Sequence, residues 1–301
     1  MLTATRIIQR TPIFNRMFAM NDGDELEEIN SWPALMILTS FVWLAVAGLL
    51  GVAMPIIQRF DLGAELFYMA LTAHGAALAF PFAFQLMVGA SLHRAAGCLG
   101  KPVTGLLPAL IYLSMNVGGA LLTVAILMGF SISYIVMFPL PIVGVENGQW
   151  SYGALVIGFT GLGLALFSMI VFFPVHVLKT AFFGDKREEL ILSERSINDP
   201  GMLGMVLGSL VLLIMGTPLL ITATYILIAL YGIIPLGAVA WATEPVLFQF
   251  VFFTFAHNLM EAMAVMVISG IYATLPLYLA DGTRKLYSNR LANTALWILV
   301  I

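Results

Sequence analysis

The sequence predicts an all-α polytopic membrane protein of about seven transmembrane helices. Three observations carry that expectation. Of 301 residues, 61% are hydrophobic and only 10% charged, where ordinary soluble domains are roughly 25% charged. The apolar residues gather in runs near or above the ~20 residues that cross a bilayer as a helix. All but Arg59 of the 13 lysines and arginines fall on alternate connections between those runs.

The runs lie near 34–57, 65–92, 103–130, 150–180, 202–232, 245–279 and 288–301. No internal repeat and no separate soluble domain interrupts them, so residues 1–301 form a single expected membrane domain. The first thirty residues are polar and mixed in charge, without an apolar core or small-residue cleavage site, and predict no cleavable signal peptide. Arg6, Arg10 and Arg16 precede the first run; Arg94 and Lys101 follow the second. Lys179, Lys186, Arg187 and Arg195 follow the fourth, and Arg284, Lys285 and Arg290 follow the sixth. A positive-inside bias of this kind puts the N-terminus in the cytoplasm, with the even-numbered spans entering from outside. The opposite connections carry turn and interface residues instead: Pro139, Pro141, Gly144, Gly148 and Trp150 before the fourth run, Trp241 and Pro245 before the sixth. The last run, NTALWILVI, is expected to begin a seventh helix that this chain does not complete. The single cysteine, Cys98, excludes a disulfide within the chain. A net charge of −3 says little about partners, and a nucleic-acid partner is not expected.

Four histidines carry the candidate chemistry. His93 and His176 end the second and fourth runs beside Arg94 and Lys179, where an interfacial polar residue is the reading. His74 and His257 lie deeper, both roughly 13 to 18 Å from the outer ends of their spans at ~1.5 Å per residue. Either the two imidazoles address one buried site or each is a separately hydrogen-bonded core histidine. His74 sits in LTAHGAALAFPF, where Gly75 and the alanines leave the helix face open. Such a face suits close helix packing and equally a flat macrocycle held by an axial imidazole.

Glu261 follows His257 by four positions, on the same helix face. An ionisable pair inside an apolar helix marks metal, ion or proton chemistry by default, and imidazole with carboxylate leans toward iron over copper. The other reading is a protonated Glu261 hydrogen-bonded to a neighbouring helix. Tyr272 lies on nearly the same face toward the cytoplasmic end, with Ser269 nearby. The tyrosine is either part of a polar stripe carrying protons to Glu261 or an interfacial anchor.

LTAHG in the second span, the FPLP turn before the fourth, FVFFTFAHNLME in the sixth and GIYATLP closing it together resemble the haem-copper oxidase superfamily, catalytic subunit I. The likeness runs from about residue 65 to 301 and is nearest in style to the B-type oxidases. It implies the N-terminal part of a twelve-helix fold. By position, His74 resembles an axial ligand of the low-spin haem, and His257 the first histidine of the non-haem metal beside the high-spin haem. Tyr272 resembles a tyrosine near the inner end of a proton path. Oxygen-reducing members usually follow that histidine with proline and, four residues on, with the tyrosine crosslinked to it. Here those positions are Asn258 and Glu261, and Glu261 instead resembles the glutamate that joins the histidines at a non-haem iron in nitric oxide reductases.

The resemblance therefore implies a respiratory reductase turning NO into nitrous oxide at a centre of high-spin haem and non-haem iron (or copper). The alternatives are an oxygen reductase taking electrons from cytochrome c or quinol, and a non-catalytic remnant or assembly subunit. The family's paired histidines of helix seven and those of helix ten would lie beyond Ile301. The implied partners are thus the C-terminal half of the subunit or a split partner chain, an electron donor subunit, cytochrome c or quinol, and membrane lipid. A multi-pass place in a prokaryotic plasma membrane is expected.

Overall fold

A computed structural model describes residues 31–99, 103–130, 151–182, 199–278 and 286–300. Arg6, Arg10, Arg16, Lys101, Lys186, Arg187, Arg195, Arg284 and Lys285 of the charge pattern lie outside the described residues, as do Pro139, Pro141, Gly144, Gly148 and Trp150. Among the described residues the regular structure is all helical, and six helical stretches are long and apolar enough to cross a membrane. The protein is a multi-pass membrane protein.

The first span is α1 (Ser31–Arg59). The second runs without a break through α2 (Ala64–Ala77), a π-helical segment π1 (Leu78–Phe84) and α3 (Gln85–Leu99). The third is α4 (Leu106–Leu127), and the fourth is built from α5 (Tyr152–Phe167), a second π segment π2 (Ser168–Phe172) and α6 (Phe173–Phe182). The fifth and sixth are α7 (Pro200–Leu230) and α8 (Pro245–Thr274), joined through a 3-10 turn at Leu236–Thr243. The seventh expected span appears as α9 (Asn289–Ile298), whose 10 residues reach only about 15 Å. At that length α9 is not among the six stretches that can cross a membrane.

The helix starts follow from capping chemistry. A helix leaves its first N–H groups without partners, and a short oxygen-bearing side chain just before it accepts from them. Ser151 accepts from the Ala154 N–H, Asp199 from Gly201, Glu244 from Leu247 and Ser288 from Leu291. Pro200 and Pro245 occupy first-turn positions, where the missing N–H costs nothing.

Both π segments lie at prolines. Pro81 lies within π1 and Pro174 just after π2. Proline cannot donate to the carbonyl four residues back, and its ring presses on that carbonyl. Widening the turn relieves the clash and moves the next bond one residue further: the Gln85 N–H reaches the Phe80 carbonyl, and that of Phe173 reaches Ser168.

Packing is closest where side chains are small. A Cβ on Gly118 of α4 would lie 2.7 Å from the Gly161 carbonyl of α5, and one on Gly161 would lie 2.7 Å from the Gly118 carbonyl. In the α7–α8 pair a Cβ on Gly204 would come 2.3 Å from the Ser269 Cβ. Only glycine permits that approach, and it lets the buried Ser269 hydroxyl donate across to the Pro200 and Gly201 carbonyls at 2.7 and 2.6 Å. Lipid offers no hydrophobic drive for helix association, so close contact and such bonds hold the pair.

A polar chain crosses the first three spans. The Trp43 indole N–H donates to Asn116 Oδ1 (2.9 Å), Asn116 Nδ2 donates to Gln85 Oε1 (2.8 Å), and Gln85 Nε2 donates to the Met36 carbonyl (3.1 Å). The roles are fixed from both ends, because an indole only donates and a carbonyl only accepts. Each amide can therefore face only one way.

Candidate functional site: His74 on the second span, His257 and Glu261 on the sixth

His74 is held from the side by α1. Its Nδ1 lies 2.8 Å from the Ala47 carbonyl, and Ala47 is fully buried. A carbonyl can only accept, so Nδ1 carries the proton and donates; in the neutral ring Nε2 then bears the lone pair. A hydrogen bond of this kind on the far nitrogen fixes the tautomer and aim of a metal-binding histidine. The imidazole is half-buried, whereas neighbouring Gly75 is exposed and a Cβ placed on it would meet nothing within 4 Å. The open face expected beside His74 is present. These features fit an axial haem ligand: a fixed ring, a lone pair at Nε2 and free space alongside.

His257 and Glu261 meet on one face of α8, with Nε2 and Oε1 3.3 Å apart and the side chains 79% and 39% exposed. The face is a continuous stripe, with Phe250 71%, Phe253 51%, Met260 67% and Val267 52% exposed. No described part of the chain covers it. Glu261 has its partner on its own helix rather than on a neighbouring one. Asn258 turns its amide back to the Thr254 carbonyl at 2.7 Å. Two donors are too few for a metal, and no group of three or more His, Cys, Asp or Glu able to hold one occurs among the described residues. The pair fits one side of a metal site, with the remaining ligands supplied from elsewhere.

No hydrogen bond or ion pair joins His74 to His257. Their surroundings are nonetheless continuous, because Ala73 and Ala76 beside His74 share an apolar cluster with Phe248 and Phe252 of α8. His74 lies ten residues after the first residue of α2 and His257 twelve after that of α8, about 15 and 18 Å along their axes.

Tyr272 packs, partly buried, against the cluster of Leu203, Leu207, Val265 and Leu296. Ser269, five residues before the end of α8, spends its hydroxyl on the α7 carbonyls. Ser269 thus clamps two helices together, and its hydroxyl bonds neither Tyr272 nor Glu261. His93 and His176 are partly buried, each six residues before the end of its helix. Sequence reasoning passed over Trp43, Gln85 and Asn116; the signal was an uncharged polar side chain alone in an apolar run, the kind that bonds across helices.

The family model described as cytochrome c and quinol oxidase polypeptide I matches residues 33–301. The chain belongs to this family of haem-copper oxidoreductases. Its members bind haems and a metal centre, in keeping with the imidazole geometry above. Comparison with curated proteins and with solved structures gave no match.

Proposed function

We propose that this haem-copper family chain is part of a nitric-oxide-reductase-like catalytic subunit, converting NO to nitrous oxide and water. The observation that carries the reading is His257 with Glu261 four residues on, 3.3 Å apart on one open face. That face lacks the histidine–tyrosine pair of oxygen-reducing members. When bound, the haems and the non-haem iron supply one-electron transfer and a site where two NO molecules couple. The coupling consumes two electrons and two protons per nitrous oxide.

The chain's residues divide that work. His74 holds the low-spin haem through Nε2 while the Ala47 carbonyl keeps its ring from turning. His257 gives an imidazole to the non-haem metal. Glu261 either completes that ligand set or passes a proton to the departing oxygen from its carboxyl oxygen next to His257. Tyr272 stands near the cytoplasmic end of α8, where a proton path to Glu261 begins. The rest of the ligands come from the C-terminal half of the subunit, or from a split partner chain, seated on the exposed α8 face. The subunit lies in a prokaryotic plasma membrane with its N-terminus in the cytoplasm and takes electrons from a donor subunit, cytochrome c or quinol.

The family description, an oxidase polypeptide, favours a second reading, in which the assembled centre reduces oxygen and copper replaces iron. Both gases should be assayed on the assembled complex with metal analysis, beside Glu261→Gln. The first reading expects NO turnover, iron at the non-haem position and at least a tenfold loss in the variant. Oxygen reduction with copper and without NO turnover would sink it.

A further inference from the structure

Near His74, α1 contains two glycines one turn apart with opposite surroundings, Gly51 on the face that meets the ring and Gly48 exposed. A Cβ on Gly51 would lie 3.1 Å from His74 Cε1, 3.2 Å from Nδ1 and 4.0 Å from Nε2, whereas a Cβ on Gly48 would meet nothing within 4 Å. Ordinary contact between carbon atoms is about 3.5 to 4.0 Å. The ring thus rests on bare backbone at Gly51, and its Nδ1–H reaches the Ala47 carbonyl, 2.8 Å away, one turn further along the same helix.

We propose that Gly51 is a positioning residue for the His74 imidazole, setting the ring's distance from α1 so that the Nδ1–Ala47 bond forms and Nε2 is aimed outward. The assignment rests on His74 being a haem ligand, as proposed above. A methyl group at Gly51 touches the Cε1–Nδ1 edge and not Nε2, so it pushes on the hydrogen-bonded side of the ring. The ring yields by a few tenths of an ångström, and the bond to Ala47 lengthens or bends. Donation from Nδ1–H makes an imidazole a stronger electron donor at Nε2. A weaker bond therefore makes His74 a poorer donor, which disfavours the oxidised iron and moves the haem potential upward.

The test uses the assembled holoenzyme and compares Gly51→Ala, Gly48→Ala and His74→Ala. The readouts are the reduced-minus-oxidised spectrum and the midpoint potential of the low-spin haem. Gly51→Ala is expected to shift the band and raise the potential, Gly48→Ala to leave both unchanged, and His74→Ala to abolish the low-spin signal. A low-spin signal that survives His74→Ala overturns the ligand assignment beneath the proposal. A signal that depends on His74 but is unmoved by Gly51→Ala overturns the positioning role alone. If Gly51→Ala assembles poorly, the double variant with His74→Ala decides. Removing the ring should remove the penalty, so the double variant should assemble as well as His74→Ala; equal losses in both backgrounds would refute the contact.

Discussion

Replacing Gly204 by alanine tests whether the α7–α8 pair is held by close backbone approach. The new Cβ would stand 2.3 Å from the Ser269 Cβ, where carbon atoms settle at about 3.5 to 4.0 Å. The helices must therefore part locally by about 1.2 to 1.7 Å. Ser269 reaches the Pro200 and Gly201 carbonyls at 2.7 and 2.6 Å, and a retreat of that size takes both bonds beyond hydrogen-bonding range. Overpacking costs about 1–3 kcal/mol. The hydroxyl has one proton, so the bond it shares between the two carbonyls adds about 0.6 kcal/mol. The expected loss is about 2–4 kcal/mol, measured by denaturant unfolding of the purified protein in detergent. Gly48→Ala, which fills open space, is the control. Adding Ser269→Gly to Gly204→Ala should restore only part of the packing loss, because the new Cβ still stands 2.9 Å from the Val265 carbonyl, and should leave the hydrogen-bond part. A Gly204→Ala protein within about 0.5 kcal/mol of the parent, the range of inert surface changes, would refute the reasoning.

Two further outcomes follow from the polar groups. Asn116→Leu leaves both the Trp43 indole and the Gln85 carbonyl oxygen without partners and should cost about 1–3 kcal/mol in the same unfolding assay; adding Gln85→Leu should then cost less than Gln85→Leu does in the parent, because the two residues share one bond. Ser151→Ala removes the acceptor for the Ala154 N–H and should cost about 1 kcal/mol, read as earlier hydrogen exchange at the start of α5 than in the parent.

The spans were legible because their signal is simple: long apolar runs. Pro245 marked one helix beginning in sequence, while the caps Ser151, Asp199 and Glu244 show only in the structure. The His257–Glu261 pairing was legible for a related reason, since a four-residue spacing on a helix fixes a shared face. The start of the seventh run was legible too: α9 begins at Asn289 behind its Ser288 cap. Tertiary partners were the illegible part. Nothing local to LTAHG says that the imidazole will meet Ala47 and Gly51 from 27 and 23 residues earlier. Nothing local to Ser269 says that its hydroxyl belongs to α7 rather than to a stripe with Tyr272. The π segments were missed because proline in an apolar run predicts a kink without saying how the backbone will absorb it.

That absorption makes the second span two helices of different phase. Each residue of an α-helix turns the next by about 100°, so the extra residue taken up in π1 sets the angular offset between His74 above it and Gln85 below. The same residues wound as α-helix throughout would give a span of the same apolar character and nearly the same length. With Gln85 kept on Asn116, His74 would swing about 100° away from Ala47. A helix that still crosses the membrane would then present its imidazole to the wrong neighbour.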